Sequence, residues 1–386
     1  MNRMKLRDPA SSGISGPIAS PDPDVLRLRA VHRAAAELKR GTPVLLRGEE
    51  PLVLLPAETA GARGLREFAT VAAAAPVVLL ATARAAAVLR RPLAPETPGV
   101  ALRTSKALLD PAVLRGMADP TAEQMLPEEP MLAGEYPRTA PAALALTKLS
   151  RLLPAVLCAP VRPDADARAE ILQLLSVPAE DVLAYPSDVA ADLARVAEAR
   201  VPLEGAANSR VVAFRAPDAG IEHLAILVGD PAATAAPLVR IHSECFTGDL
   251  LGSLRCDCGP QLRGAIRRMG EEGAGALLYL AQEGRGIGLV NKLRAYALQD
   301  SGLDTLDANR ALGWGVDERN FLIAATMLSE LGIRSLRLLT NNPDKVKALS
   351  ACGVQVVRRE SHAFAPNGVN DHYLATKAER FGHLFG

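Results

Sequence analysis

The apolar positions of this chain switch repeatedly between helical and strand spacing. In "VLRLRAVHRAAAELKRG" (25–41), Val25, Leu26, Leu28, Val31, Ala35 and Leu38 share one helical face and Gly41 supplies the stop. "PVLLRG", "PLVLLP" and "APVVLLAT" are short apolar runs bounded by turn residues and predict strands. Helical spacing returns near 64–74, 141–152 and 187–199, so the first half predicts an α/β layer. Beyond it, "RVVAFRA" and "EHLAILVGD" predict a strand pair joined by "PDAG", and "PLVRIHSE" predicts another strand. "GPQLRGAIRRMGEEG" places Leu262, Ala265, Ile266 and Met269 on one helical face, and "LVNKLRAYALQDSG" does the same with Leu289, Leu293, Tyr296 and Leu298. "GALLYL" predicts a buried strand followed by the glycine loop "AQEGRGIG", and "SLRLLT", "NNPDKVKALSACG" and "VQVVRR" predict a strand–loop–helix–strand unit. The expected fold class is α/β (α+β), with two domains at 25–195 and 196–386, each a mixed sheet layered with helices. A disordered lead-in rich in Pro, Ser and Gly is expected at 1–24.

Length agrees with two domains, since 386 residues exceed the usual size of one core. A net charge of +1 and 3% aromatic residues argue against a general polyanion binder or a base-stacking surface, so no nucleic-acid partner is expected. One local phosphate site stays compatible with that balance. No apolar run reaches bilayer-spanning length, and "ATVAAAAPVVLLATA" (69–83) is broken by proline, so no membrane partner is expected. The start of the chain lacks the apolar segment of a secretory signal, and five cysteines fit a reducing compartment; the expected location is cytoplasmic.

Candidate chemistry concentrates after about residue 201. "HSECFTGDLLGSLRCDCGPQL" (242–262) holds Cys245, Cys256 and Cys258, three of the five cysteines. Thiolates suit zinc, and three protein ligands with a fourth position left for water form the catalytic arrangement, with the bound water's pKa lowered to about 7. His242 is a candidate fourth ligand that would close the site; reduced, unliganded thiols are the remaining reading. In "QEGRGIG" (282–288) the glycines let backbone N–H groups approach an anion and Arg285 adds a guanidinium. Its spacing departs from the dinucleotide and P-loop fingerprints, and a plain turn is the alternative. "TNNPDK" (340–345) sits at the carboxyl end of a predicted strand, where Thr340 and Lys345 face a ligand or Asn342 caps a helix. "GVDERNF" (315–321) sets Asp317, Glu318 and Arg319 together, either as a base beside a phosphate-binding arginine or as a solvated helix start. Cys158 in "PAVLCAP" and Cys352 in "LSACGV" read as packing thiols.

Together, "RIHSECFTGDLLGSLRCDCGPQL", "QEGRGIGLVNKLRAYALQDSGLDT", "DERNF", "LRLLTNNPDKV" and "HYLATKAERFGHL" resemble GTP cyclohydrolase II across about 201–385. The resemblance implies zinc at Cys245, Cys256 and Cys258, and GTP contacts from Arg240, Ile241, His242, Ser243, Glu244, Gln261, Glu283, Gly284, Arg285, Thr305, Thr340 and Lys345. It implies Asp317 as proton acceptor, Arg319 as nucleophile and Tyr296 as the active-site tyrosine. Arginine stays protonated and is a poor nucleophile, so stabilising charge at the α-phosphate is an equally good role for Arg319. The implied reaction opens the imidazole ring of GTP, releases formate and pyrophosphate, and leaves a diaminopyrimidine, the first step of riboflavin biosynthesis. Mg²⁺ on the triphosphate and a homodimer are implied as well. Ala281, where an arginine often precedes "QEGRG", and "RRESHAFAPNG", in place of an "ERVPL"-type segment, depart from the pattern outside the matched positions. A nucleotide-sensing homologue and a paralogue in pyrimidine catabolism are the alternatives. The first half resembles 3,4-dihydroxy-2-butanone-4-phosphate synthase in the order of "GTPVLL", "PAETA" and "ALALTKLSRLLPAVLCAPV". "LLRGEEPLVLLP" replaces that family's acidic cluster and "PRTAP" its His-Thr-Glu motif, which implies a degenerate, inactive domain.

Overall fold

The computed structural model describes residues 22–94, 99–105, 107–123, 133–217 and 220–384. Most of the expected lead-in, and two residues of the "PDAG" turn, lie outside the described residues. Helix α1 (Pro23–Lys39) opens on Asp22, whose carboxylate accepts from the Asp24 N–H at 3.0 Å, with Pro23 in the first turn where its missing N–H costs nothing. Just past its end Gly41 takes φ +70°, and a Cβ there would stand 2.4 Å from Thr59 O.

The first sheet contains β1 (Val44–Arg47), β2 (Leu52–Pro56), β3 (Val77–Leu80), β4 (Val100–Arg103), β5 (Ala155–Pro160) and β6 (Leu175–Pro178), in the order β4-β3-β5-β2-β1-β6. Only the β1–β6 pairing is parallel. Helices α2 (Ala62–Val71), α3 (Thr82–Leu89), α4 (Pro111–Ala118), α5 (Ala140–Leu149), α6 (Ala165–Leu172) and α7 (Ala179–Ala191) alternate with these strands along the chain. The sheet is covered on both faces, which is why β2 is buried throughout instead of alternating.

The second sheet contains β7 (Ala194–Arg200), β8 (Ser209–Arg215), β9 (Glu222–Val228), β10 (Leu238–Ser243), β11 (Gly275–Leu280), β12 (Ser335–Leu339) and β13 (Gln355–Glu360). Its order is β13-β12-β10-β11-β9-β8-β7, with β13, β12, β10 and β11 mutually parallel. Its helices are α8 (Cys258–Glu272), α9 (Leu289–Asp300), α10 (Thr305–Ala311), α11 (Leu322–Glu330), α12 (Pro343–Ala351) and α13 (Asp371–Phe381). Among the described residues no helix is long and apolar enough to cross a membrane.

Two expectations need correction. The helix read near 187–199 stops at Ala191, and Ala194–Arg200 is an edge strand paired antiparallel with β8. Its alanines and charges favour a helix in isolation, but tertiary pairing decides strand formation. On α9, Leu293 is 50% exposed, while Asn291 and Lys292 take the buried stripe.

The two layers are not separate cores. Ile287, Ala295, Leu298, Ala308, Leu312 and Trp314, on or beside α9 and α10, pack into the cluster built by the first sheet. The parallel strands β10, β11, β12 and β13 run in one direction, and the carboxyl ends of such strands are where an open α/β sheet places ligands.

Candidate active site

The chain leaves β10 at Ser243 and turns tightly through Phe246–Leu250 before entering α8 at Cys258. That turn brings the Cys245, Cys256 and Cys258 sulfurs within 4.8 Å of one another. Ligands placed tetrahedrally about 2.3 Å from zinc lie about 3.8 Å apart, and Cys245 Sγ stands 3.8 Å from Cys256 Sγ. Gly248 lies directly beneath: a Cβ there would meet Cys256 Sγ at 2.7 Å, Cys258 Cβ at 2.9 Å and Cys245 Sγ at 3.0 Å. Hydrogen bonds from the Cys256 and Cys258 thiols, then from Lys292, push the Cys245 thiol far below its ordinary pKa. That first thiolate in turn holds Cys256 and Cys258 up. A donor set in which one ionisation blocks the next fits a divalent cation, which stabilises all three thiolates together.

His242 does not join this cluster. Its Nε2 faces both Asp249 oxygens at 3.1 Å, and Asp249 also accepts from the Cys245 N–H and the Tyr279 hydroxyl, each at 3.0 Å. Asp249 therefore braces the turn from behind, and the three-cysteine set stays open on its cavity side.

Lys292, which sequence reasoning passed over, reaches down from α9 between Cys245 Sγ at 3.0 Å and Glu283 Oε1 at 2.8 Å. Burial opposes its charge, but these two partners outweigh burial and raise its pKa. The Glu283 carboxylate also accepts from Phe246 N–H at 2.7 Å and Gly284 N–H at 2.9 Å, tying the glycine loop to the cysteine turn. In that loop Gly284, Arg285, Gly286 and Gly288 all have positive φ, and a Cβ on Gly286 would stand 2.6 Å from Glu318 O. Arg285 holds this conformation without being glycine, a strain of the kind that gathers at functional sites.

Above the sulfurs opens a cavity lined by cations from six segments: Arg240 on β10, Arg285 on the glycine loop, Lys292 on α9, Arg319 on the loop before α11, Lys345 on α12 and Lys377 on α13. Arg240 donates to Leu339 O at 3.0 Å and also contacts Gln261, leaving its Nε without a partner. His242 Nδ1 and Ser243 Oγ are likewise buried and unpartnered. Three such atoms on residues that line one cavity are costly unless a polar ligand or water meets them. Burial, then Arg319 and Arg240, lower the Lys345 pKa well below the usual lysine value, although its Nζ donates to Ile241 O at 2.9 Å. An anion in the cavity would restore that charge.

Most residues expected from sequence line this one space: Glu244, Gln261, Glu283, Gly284, Arg285, Tyr296, Thr305, Arg319, Thr340 and Lys345, with Arg240, His242, Ser243 and the three cysteines. Ile241 and Asp317 do not line it. Ile241 points into the core and offers its carbonyl to Lys345. Asp317 stands behind Arg319, accepting from its Nε at 2.8 Å; burial works against its charge, but Arg319 outweighs burial and lowers the carboxyl pKa. Tyr373, Lys377 and His383 also line the cavity and were not singled out from sequence. Their signals in the sequence are the segment "HYLATKAERFGHL", which contains all three, and the i, i+4 spacing of Tyr373 and Lys377 on one helical face. Lys377 Nζ bonds Asp257 at 2.6 Å, which anchors α13 beside the cysteines.

A family model described as GTP cyclohydrolase II matches residues 194–361. A GTP cyclohydrolase-2 from Azospirillum brasilense is 47% identical over 370 residues, covering 94% of this chain and 95% of its own. One from Actinobacillus succinogenes is 50% identical over 193 residues, covering 50% of this chain and 88% of its own. A solved two-domain 3,4-dihydroxy-2-butanone 4-phosphate synthase from A. baumannii aligns at 16% identity over 86% of this chain and 99% of its own, with a TM-score of 0.32.

Proposed function

Because this chain belongs to the GTP cyclohydrolase II family, we propose that it binds one zinc ion through Cys245, Cys256 and Cys258. In this reading it converts GTP, carried with Mg²⁺, to 2,5-diamino-6-(5-phosphoribosylamino)pyrimidin-4(3H)-one, formate and pyrophosphate. The observation that carries the reading is convergence: three sulfurs, six lysine and arginine side chains and three unpartnered polar atoms meet at one cavity.

The chemistry zinc supplies when bound is Lewis acidity and a water that ionises near neutral pH. The protein's own groups do the rest. Arg240, Arg285, Arg319 and Lys345 hold the phosphates, and charge developing at a leaving phosphate is met by guanidinium donors already in place. Asp317, with its pKa lowered, is a weak base at neutral pH; it holds Arg319 in position, and Arg319 stabilises charge instead of attacking. Burial, reinforced by Glu283, raises the Glu244 pKa, so Glu244 is the cavity carboxyl suited to hold a proton. Burial also raises the Tyr296 pKa and keeps its hydroxyl a donor, 3.5 Å from Thr247 Oγ1 on the cysteine turn.

A homodimer in the cytoplasm, acting at the entry to riboflavin biosynthesis, completes the proposal. The first half is read as a degenerate synthase-like domain. Its acids at 49–50 are engaged with Arg138, through Glu49 at 3.0 Å and Glu50 on the Arg138 N–H at 2.8 Å. The test is incubation of zinc-loaded protein with GTP and Mg²⁺, with formate, pyrophosphate and the pyrimidine measured together. Equal yields of the three are expected; GTP bound and returned intact would overturn the reading in favour of a sensor.

A further inference from the structure

We propose that the first half of the chain positions the cavity, gripping the helix that carries Lys292 and Tyr296 and the loop that carries Arg319. This rests on the activity proposed above.

The grip on α9 is ionic and buried. Arg294, two residues from both Lys292 and Tyr296, turns away from the cavity and enters the first half. Its Nη2 stands 2.9 Å from Glu58 Oε1 and its Nε 2.7 Å from Asp119 Oδ2, with all three side chains under one-fifth exposed. Both carboxylates are themselves held. Glu58 accepts from the Leu153 N–H at 2.7 Å; Asp119 accepts from the Thr121 N–H at 2.9 Å and hydroxyl at 2.7 Å. A planar guanidinium between two fixed carboxylates sets the rotation of its helix as well as its distance. One turn along, Asn291 donates to Arg151 O at 3.1 Å, and the Arg151 guanidinium reaches Ala281 O at 3.0 Å, just ahead of the glycine loop.

A second grip holds the loop at 315–320. Lys148 Nζ meets Glu318 Oε1 at 2.5 Å, and Asn320 donates to Pro186 O at 2.7 Å. The same Glu318 carboxylate accepts from Gly315 N–H at 2.7 Å, and its own N–H donates to Arg285 O at 3.1 Å. Between the two grips Leu298, Leu312 and Trp314 are embedded in the first half's core. The residues that touch the cysteines and the phosphate cavity are thus fixed from behind by groups that touch neither. Arg294, Glu58, Asp119 and Lys148 are positioning residues.

The test uses the full-length chain with Glu58→Gln and Asp119→Asn combined, which removes the charges and keeps the shape. We expect kcat for formate release to fall about tenfold or more, since small misplacement of reacting groups is costly. KM for GTP should stay within about threefold, because the phosphates are held from other elements. Zinc content should be unchanged, while amide hydrogen exchange accelerates in 289–300 and not in β10–β12. Lys148→Met should lower kcat by a smaller factor, with faster exchange confined to 315–320. Unchanged kcat in the double variant overturns the proposal. If that variant loses zinc and exchange protection throughout, the Lys148→Met kcat decides, and no change there overturns it. Absence of formate from the wild-type protein would instead refute the activity, while the exchange pattern still tests the grip.

Discussion

The two layers of this molecule share an architecture and differ in what their buried polar groups do. In the first, Arg84 donates to Met117 O at 2.7 Å and Gly116 O at 2.6 Å, Thr147 and Ser150 bond back along α5, and the buried atoms without partners, Glu67 Oε2, Ser105 Oγ and Tyr136 Oη, lie on three separate segments. In the second, Arg240, His242, Ser243, Glu283, Lys292 and Lys345 crowd one cavity, and several of their atoms lack partners. Cysteines show the same contrast. Cys158 is fully buried and burial pushes its thiol up to about 12, whereas hydrogen bonds with Cys256 and Cys258, and then Lys292, hold the Cys245 thiol far below its ordinary value. A mixed sheet with helices is therefore no guide to activity; convergence of unsatisfied groups at strand ends is.

The largest expected break of this contrast is Cys256→Ser, which should abolish zinc binding and ring opening together, measured by metal content and formate release. Full activity would remove the metal assignment. Its counterpart, Cys158→Ser, should keep zinc and turnover, and cost about 1–3 kcal/mol in denaturant unfolding for burying a hydroxyl. Next comes Gly248→Ala, whose methyl would collide with the sulfurs; overpacking of about 1–3 kcal/mol should appear as weaker zinc affinity in a competition with a chelator. A smaller effect concerns Lys345. Burial, Arg319 and Arg240 lower its pKa in the free protein, and a polyphosphate raises it again. GTP binding should therefore take up protons at pH values between the free and bound pKa, and weaken as pH rises through the bound value. Calorimetry in two buffers of different ionisation enthalpy measures this; net proton release would contradict it. The smallest signal sharpens the contrast from the other side: ribulose 5-phosphate should yield no dihydroxybutanone phosphate.

Much of the second layer could be read from residues alone, because its signals are local. The three cysteines lie on one turn and one helix start, and "SLRLLT", "NNPDKV" and "VQVVRR" form β12, α12 and β13 in the expected order. What escaped reading was set by distant partners. Lys292 interrupts an apolar stripe because Cys245 and Glu283 wait beneath it, and "ARVAEAR" becomes a strand because β8 lies beside it. Tyr373, Lys377 and His383 reach the cavity only because α13 folds back toward Asp257. The resemblance implies a proton acceptor at Asp317, and the fold adds that Arg319 Nε donates to its carboxylate at 2.8 Å.

The most direct measurement is a zinc titration of metal-free protein with GTP and Mg²⁺ present, reading formate at each addition. Formate release should rise in proportion to zinc and level off at one ion per chain. Release from metal-free protein, or a plateau at any other stoichiometry, would contradict the three-cysteine site as the seat of the reaction.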